Sequence, residues 1–180
     1  DLASVRTKAE KVDGGYRVNG SKIWTSGAHM ADYLVALFRT SGTAEDRHDG
    51  LTQFIVDLKN TDGIDIRPIH NMTGDHDFNQ IFFEDAFVPD TMRVGNEGDG
   101  WMQVTTELAF ERSGPERYLS SFPLVKSSVG KAGQDPSERQ AIGLGRMLAR
   151  AATYREMSLS VSGMLETGKN PDLEAAVMKE

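Results

Sequence analysis

Gly95-Asn96-Glu97-Gly98-Asp99-Gly100-Trp101 is the stretch on which the fold turns, because the apolar pattern on its two sides has two different periods. On its N-terminal side the pattern is that of strands. Ser4 to Val12 alternates weakly, and Tyr33 to Arg39 and Leu51 to Leu58 read as buried strands. Tyr16-Arg17-Val18 and Lys22-Ile23-Trp24 flank Asn19-Gly20, a dipeptide that favours a type I′ hairpin turn. Residues 42–50 are polar and charged and predict a solvated loop. Asn60-Thr61-Asp62-Gly63 predicts a turn, after which Ile64, Ile66 and Ile69 resume the strand pattern. Asn79 to Val88 predicts a long strand ending at Pro89, with Ile81, Phe83 and Ala86 on one face. About six short strands with no helix between them imply a small antiparallel β-barrel or sandwich over residues 1–92.

On the C-terminal side the period becomes helical. Trp101, Val104, Thr105, Leu108 and Phe110 fit a helix better than a strand. Ser113-Gly114-Pro115-Glu116 predicts a break with a capping box. Residues 130–134 read as a loop. Asp135-Pro136-Ser137-Glu138 opens a long helix, with a cap, an early Pro and a Glu at the third position. Ile142, Leu144, Leu148, Met157, Val161 and Leu165 give that helix an apolar stripe; Gly168 ends it and Asn170-Pro171 caps another. Gly143 and Gly145 suggest close helix packing. The pattern is therefore multi-domain α and β: a small β-barrel or sandwich over residues 1–92, then helices over residues 93–180 whose apolar stripe needs partner helices. A chain that opens on Asp1 without Met and stops within a helix at Glu180 is expected to be a fragment.

Composition narrows the function classes. The 180 residues carry 20 basic and 27 acidic groups, a net charge of −7 with six of those charges in the first 92 residues. With no Lys/Arg cluster, this argues against a nucleic-acid or anionic-membrane surface. There is no cysteine, hence no disulfide, thiolate metal site or catalytic thiol. No apolar run is long enough for a transmembrane helix. His29, His48, His70 and His76 lack zincin spacing, and Gly74-Asp75-His76-Asp77 reads better as a loop than as a cation site, so no metal site is expected. Gly95, Gly98 and Gly100 lack the Lys-Ser/Thr of a phosphate loop, and Ser128-Val129-Gly130-Lys131 lacks the companion motifs of penicillin-binding enzymes.

Three stretches in order carry a resemblance. They are Gly20-Ser21-Lys22-Ile23-Trp24-Thr25-Ser26-Gly27-Ala28; Asn71-Met72-Thr73-Gly74 with Phe83-Glu84-Asp85-Ala86-Phe87-Val88-Pro89; and Gly95 to Trp101 with Leu108-Ala109-Phe110-Glu111-Arg112. Together they resemble the acyl-CoA dehydrogenase family of flavoenzymes, closely to about residue 125 and more loosely beyond. The resemblance implies a middle β-barrel followed by the first helices of the C-terminal bundle, with Asp1 matching the Asp that follows a Gly-rich family segment.

It also implies a site. Trp24, Thr25 and Ser26 match the segment beside FAD, where an indole offers a flat wall to the isoalloxazine and the Ser26 hydroxyl can donate to flavin N5. Glu111 matches the catalytic base of the minority of members that carry it just before an Arg on the first bundle helix. In that role it removes the proton α to a thioester, tuned by burial against acyl chain and flavin. Arg112 matches the substrate-side Arg, placed to hold Glu111 or the CoA arm. The bland reading of Glu111 is a solvated helix charge with Arg112 or Arg117 near it in sequence. The implied partners are an acyl-CoA substrate, electron-transfer flavoprotein, and other subunits in a homo- or hetero-oligomer, usually a tetramer. Two places depart from the family. Ala109 stands where an Asp often contacts CoA, and Gly130-Lys131-Ala132-Gly133-Gln134-Asp135 stands where an Arg-x-x-Phe-Gly segment reaches a neighbouring FAD. The expected activity is FAD-dependent α,β-dehydrogenation of an acyl-CoA; the alternatives are a related flavin oxidase or monooxygenase, and a non-catalytic partner subunit.

Overall fold

The computed structural model describes residues 2–178, apart from the side chain of Ala109; Asp1, matched above to a family position, and Glu180 lie outside the described residues. The chain divides into two compact units, residues 1–103 and residues 104–180.

The first unit is one seven-stranded sheet. Its strands are β1 (Lys8–Val12), β2 (Gly15–Ser26), β3 (Tyr33–Arg39), β4 (Leu51–Asp57), β5 (Ile64–Ile69), β6 (Phe78–Pro89) and β7 (Arg93–Val94), in the order β5-β6-β2-β1-β3-β4-β7. All neighbours run antiparallel except β1 and β3, which touch in parallel only at Lys8 and Arg39. The expected barrel is not formed: the edge strands β5 and β7 do not pair with each other. The physical reasons are local. Strand β7 has only two residues before Gly95 turns it at φ 69°, and β5 carries Pro68, which has no N–H to offer a further strand. The sheet instead wraps its inner face around Tyr16, Val18, Phe38, Phe54, Ile81 and Phe83, each at most 2% exposed. Edge-to-face ring contacts tie it together, Tyr16 to Phe54 at 4.8 Å and Phe38 to Phe83 at 5.3 Å between centroids.

Asn19-Gly20 is not the hairpin. That role falls to Asp13-Gly14, which joins Val12 to its partner Gly15 with Gly14 at φ 74°. Strand β2 runs unbroken through Asn19-Gly20 and meets a bulge in β6, because Val18 faces Ala86 whereas Gly20 faces Phe83. Asp85 sits in that bulge at φ 54°, and the Asn19 carboxamide oxygen accepts its N–H at 2.8 Å. The extra residue moves the buried face of β6 from Ile81 and Phe83 to Ala86 and Val88. A strictly alternating strand would have turned Ala86 outward.

Gly100 starts α1 (Gly100–Ser113) within 2.7 Å of Leu51 O for any added Cβ, so the residue must be glycine for the helix to begin against β4. In the second unit α2 (Glu116–Leu119), α3 (Phe122–Ala132), α4 (Glu138–Glu166) and α5 (Asp172–Val177) follow. The Ser113–Glu116 break is present, but without the capping box: Ser113 donates instead to Phe110 O, and α2 has no side-chain cap. Helix α3 continues through Gly130 to Ala132, where Gly133 at φ 71° stops it. Ser137, not Asp135, caps α4, and its box partner is Gln140. Asn170 bonds Asp172 rather than capping α5. Gly143 and Gly145 have nothing within 4 Å of an added Cβ, so they pack no helix in this unit. Val161, Ala175 and Met178 form its small core, while Ile142 and Leu148 on the α4 stripe remain exposed. Among the described residues, no helix is long and apolar enough to cross a membrane, and no group of acidic or histidine side chains is arranged to hold a metal.

Candidate functional site

Trp24, Thr25 and Ser26 close strand β2, and a second bulge shapes them. Lys22 faces Ile81 and Thr25 faces Asn79, so Ile23 and Trp24 together oppose Gln80. Trp24 takes up the extra residue in the left-handed region, at φ 63°. For a bulky aromatic this is a costly backbone state, on the order of 1–3 kcal/mol. The indole gains no burial in return: Trp24 is 62% exposed, its ring meeting Phe78 only edge-on at 6.1 Å. Ser26 is also exposed, and among the described residues its hydroxyl has no hydrogen-bond partner. A strained residue presenting a flat apolar ring beside an uncommitted hydroxyl fits a planar heterocycle with a hydrogen-bond acceptor, as an isoalloxazine is.

Two side chains behind this segment were not legible as functional in the sequence. Asn79, opposite Thr25, is fully buried, and its carboxamide meets Thr25, His29 and His76. Lys22 points inward, donating to Leu37 O at 2.5 Å with its ammonium 5.3 Å from the centre of the Phe38 ring. Burial lowers its pKa from the usual 10.5 to about 8. The unfolded lysine holds its proton to higher pH than the folded one, so the unfolded chain binds more protons between about 8 and 10.5. Stability attributable to Lys22 therefore rises with pH across that window, by roughly 3 kcal/mol in all. Urea midpoints at pH 8 and pH 10 should show this rise in the wild type and lose it in Lys22→Met.

Glu111 and Arg112 lie in the last turn of α1, in the second unit. Glu111 forms an ion pair with Arg117, whose guanidinium donates to Glu111 Oε1 at 3.0 Å; Arg112 does not make this contact. On an unbroken helix, residues six apart point about 120° away from each other and cannot pair. The break at Ser113-Gly114-Pro115 brings Arg117 back to Glu111. The Glu111 side chain is 61% exposed, so its own unit does not supply the burial expected of the base. Arg112 is half-buried, and the side chain of Ala109, the departure from the CoA-contacting Asp, lies outside the description. Trp24, Thr25 and Ser26 thus stand in one unit and the Glu111-Arg112 pair in the other, each set by its own local backbone irregularity.

Known proteins match this organisation. The family model for the acyl-CoA dehydrogenase middle domain matches residues 1–86. Acyl-CoA dehydrogenase FadE34 of Mycobacterium tuberculosis is 37% identical over 192 residues, covering 99% of this chain and 25% of that protein. Among solved structures, the Tcur3481–Tcur3483 steroid acyl-CoA dehydrogenase is 26% identical with a TM-score of 0.86, over 99% of this chain and 47% of that one. The ChsE4–ChsE5 complex from Mycobacterium tuberculosis is 28% identical with a TM-score of 0.74, over 99% of this chain and 47% of that one. The chain thus spans a quarter to about half the length of these relatives. By the family model over its first 86 residues and its identity to these dehydrogenases, this chain belongs to the acyl-CoA dehydrogenase family.

Proposed function

We propose that residues 1–92 form the flavin-side β-domain, and residues 93–180 the first helices of the C-terminal bundle, of an FAD-dependent enzyme that introduces an α,β double bond into an acyl-CoA thioester. The observation that carries this reading is Trp24, held at φ 63° and left 62% exposed beside the Ser26 hydroxyl. FAD, when bound, supplies the hydride acceptor. Trp24 offers its face to the ring, Thr25 holds the strand register and Ser26 donates a hydrogen bond that strengthens as charge develops. Glu111 takes the α-proton on a carboxylate oxygen, and Arg112 holds the CoA arm. Electron-transfer flavoprotein is the proposed electron acceptor. Similarity to the ChsE4–ChsE5 complex supports assembly with other subunits, of the same or a second kind.

A second reading is a non-catalytic partner subunit. It is favoured by the exposure of Glu111 and its engagement by Arg117, and by the replacement of the Arg-x-x-Phe-Gly segment with the end of α3.

Trp24→Gly tests the first reading with opposed effects. Glycine adopts the left-handed bulge freely, so the FAD-free full-length protein should unfold at the same or a higher temperature, by up to about 1 kcal/mol of added stability. FAD retention should fall about tenfold for loss of the aromatic wall, and Trp24→Phe should restore most of it. Flavin fluorescence on release measures both variants. An FAD affinity unchanged in Trp24→Gly would remove the indole from the cofactor site.

A further inference from the structure

A bulge with its strained residue facing solvent needs something behind it to keep it from relaxing. Strand β6 supplies one fully buried carboxamide at that place, Asn79, directly opposite Thr25. Its Nδ2 donates to Thr25 O at 3.0 Å and to His29 Nδ1 at 3.2 Å. Its Oδ1 lies 2.8 Å from His76 Nε2. The orientation follows from chemistry: Thr25 O can only accept, so the amide nitrogen must face it, and Oδ1 then receives the His76 N–H. His29 Nδ1 is accordingly an acceptor. The two imidazoles stack on each other, with centroids 3.9 Å apart and planes 21° from parallel. Gly27 N donates to Asp77 O at 2.8 Å, so the chain leaving the bulge is tied to the same loop.

Each partner has an alternative that would release the bulge. Without Nδ2, Thr25 O loses this part-buried donor beside an interrupted ladder, which favours local rearrangement. Without the histidine stack, the carboxamide is free to rotate away. Both histidines meet the Asn79 carboxamide, and that carboxamide alone reaches Thr25 O in the segment that presents Trp24 and Ser26.

We propose that Asn79, locked by the stacked His29 and His76, is a positioning residue that holds the Trp24–Thr25–Ser26 bulge in its presenting conformation. This rests on the reading that the bulge faces FAD, but its first test does not. Hydrogen exchange in the full-length, FAD-free protein should show the peptide covering residues 22–28 exchanging at least tenfold faster in Asn79→Ala, with the β3–β4 peptides at wild-type rates. His76→Phe keeps a ring in the stack and removes the donor to Oδ1. It should give the same local effect, smaller in size, and serves where Asn79→Ala does not fold. In the FAD-loaded protein, His76→Phe should shift the flavin reduction potential while leaving exchange in the β3–β4 peptides at wild-type rates. Faster exchange spread evenly over the sheet, or none at residues 22–28 in either variant, would overturn the proposal. Local exchange with a wild-type protein that binds no FAD would uphold the positioning role and overturn the flavin reading instead.

Discussion

Glu111→Gln is expected to lower turnover of an acyl-CoA with an artificial electron acceptor by about 10²–10⁴-fold, the usual contribution of a positioned general base. Gln keeps the length and shape of the side chain and loses only the ability to take a proton. The variant should fold, because the Glu111 side chain is 61% exposed and the amide oxygen of Gln can still accept from Arg117. The same pair gives the experiment a control. Arg117→Gln releases the carboxylate without altering it, and should leave far more activity than Glu111→Gln. Unchanged turnover in Glu111→Gln would move the base elsewhere in the protein, or leave this chain as the partner subunit that carries none.

Arg39→Met is expected to destabilise the β-unit by about 3–5 kcal/mol, the scale of two or three charge-assisted hydrogen bonds lost at one buried group. Arg39 ends β3 at 3% exposure, and no carboxylate pairs with it among the described residues. Its guanidinium serves backbone carbonyls instead: Nε donates to Val5 O, one terminal nitrogen to Asp49 O, and the other to Ala3 O and Arg47 O. One side chain therefore fastens the segment before β1 to the loop before β4. Methionine fills the space but removes the donors to four carbonyls, of which the bond to Ala3 O is buried and the other three part-buried, and each costs about 1–3 kcal/mol only where water cannot replace the donor. Arg39→Lys should recover only part of the loss, since an ammonium cannot spread donors over four directions. Hydrogen exchange at β3 in the full-length protein reads the effect; wild-type protection in Arg39→Met would show that water replaces the guanidinium.

Much of this fold was legible in the sequence, and the failures have local physical causes. The change of period at Gly100 was clear because a strand and a helix repeat so differently, and β3 to β6 fell where their apolar runs put them. Asn19-Gly20 misled because the dipeptide favours any left-handed site, and here it lies opposite a bulge rather than in a hairpin. Closure into a barrel depends on edge pairing between β5 and β7, which composition does not report. In the candidate site, Trp24, Thr25 and Ser26 could be singled out only through family resemblance. Their left-handed bulge leaves no mark in the sequence, since Trp is among the residues least expected there. Glu111 pairs with Arg117 rather than Arg112 because the Ser113–Pro115 break reorients the chain. Asn79 was invisible as a hub, as three of its partners come from residues 25, 29 and 76 and meet only in the folded sheet.

Whether Glu111 and bound FAD act together on a thioester is decided by anaerobic mixing of the full-length protein, purified with its natural partners, with an acyl-CoA. Bound FAD is expected, with an oxidised absorption band that bleaches in the wild type and persists in Glu111→Gln. A protein that carries no FAD, or a band that bleaches equally in both, would contradict this expectation.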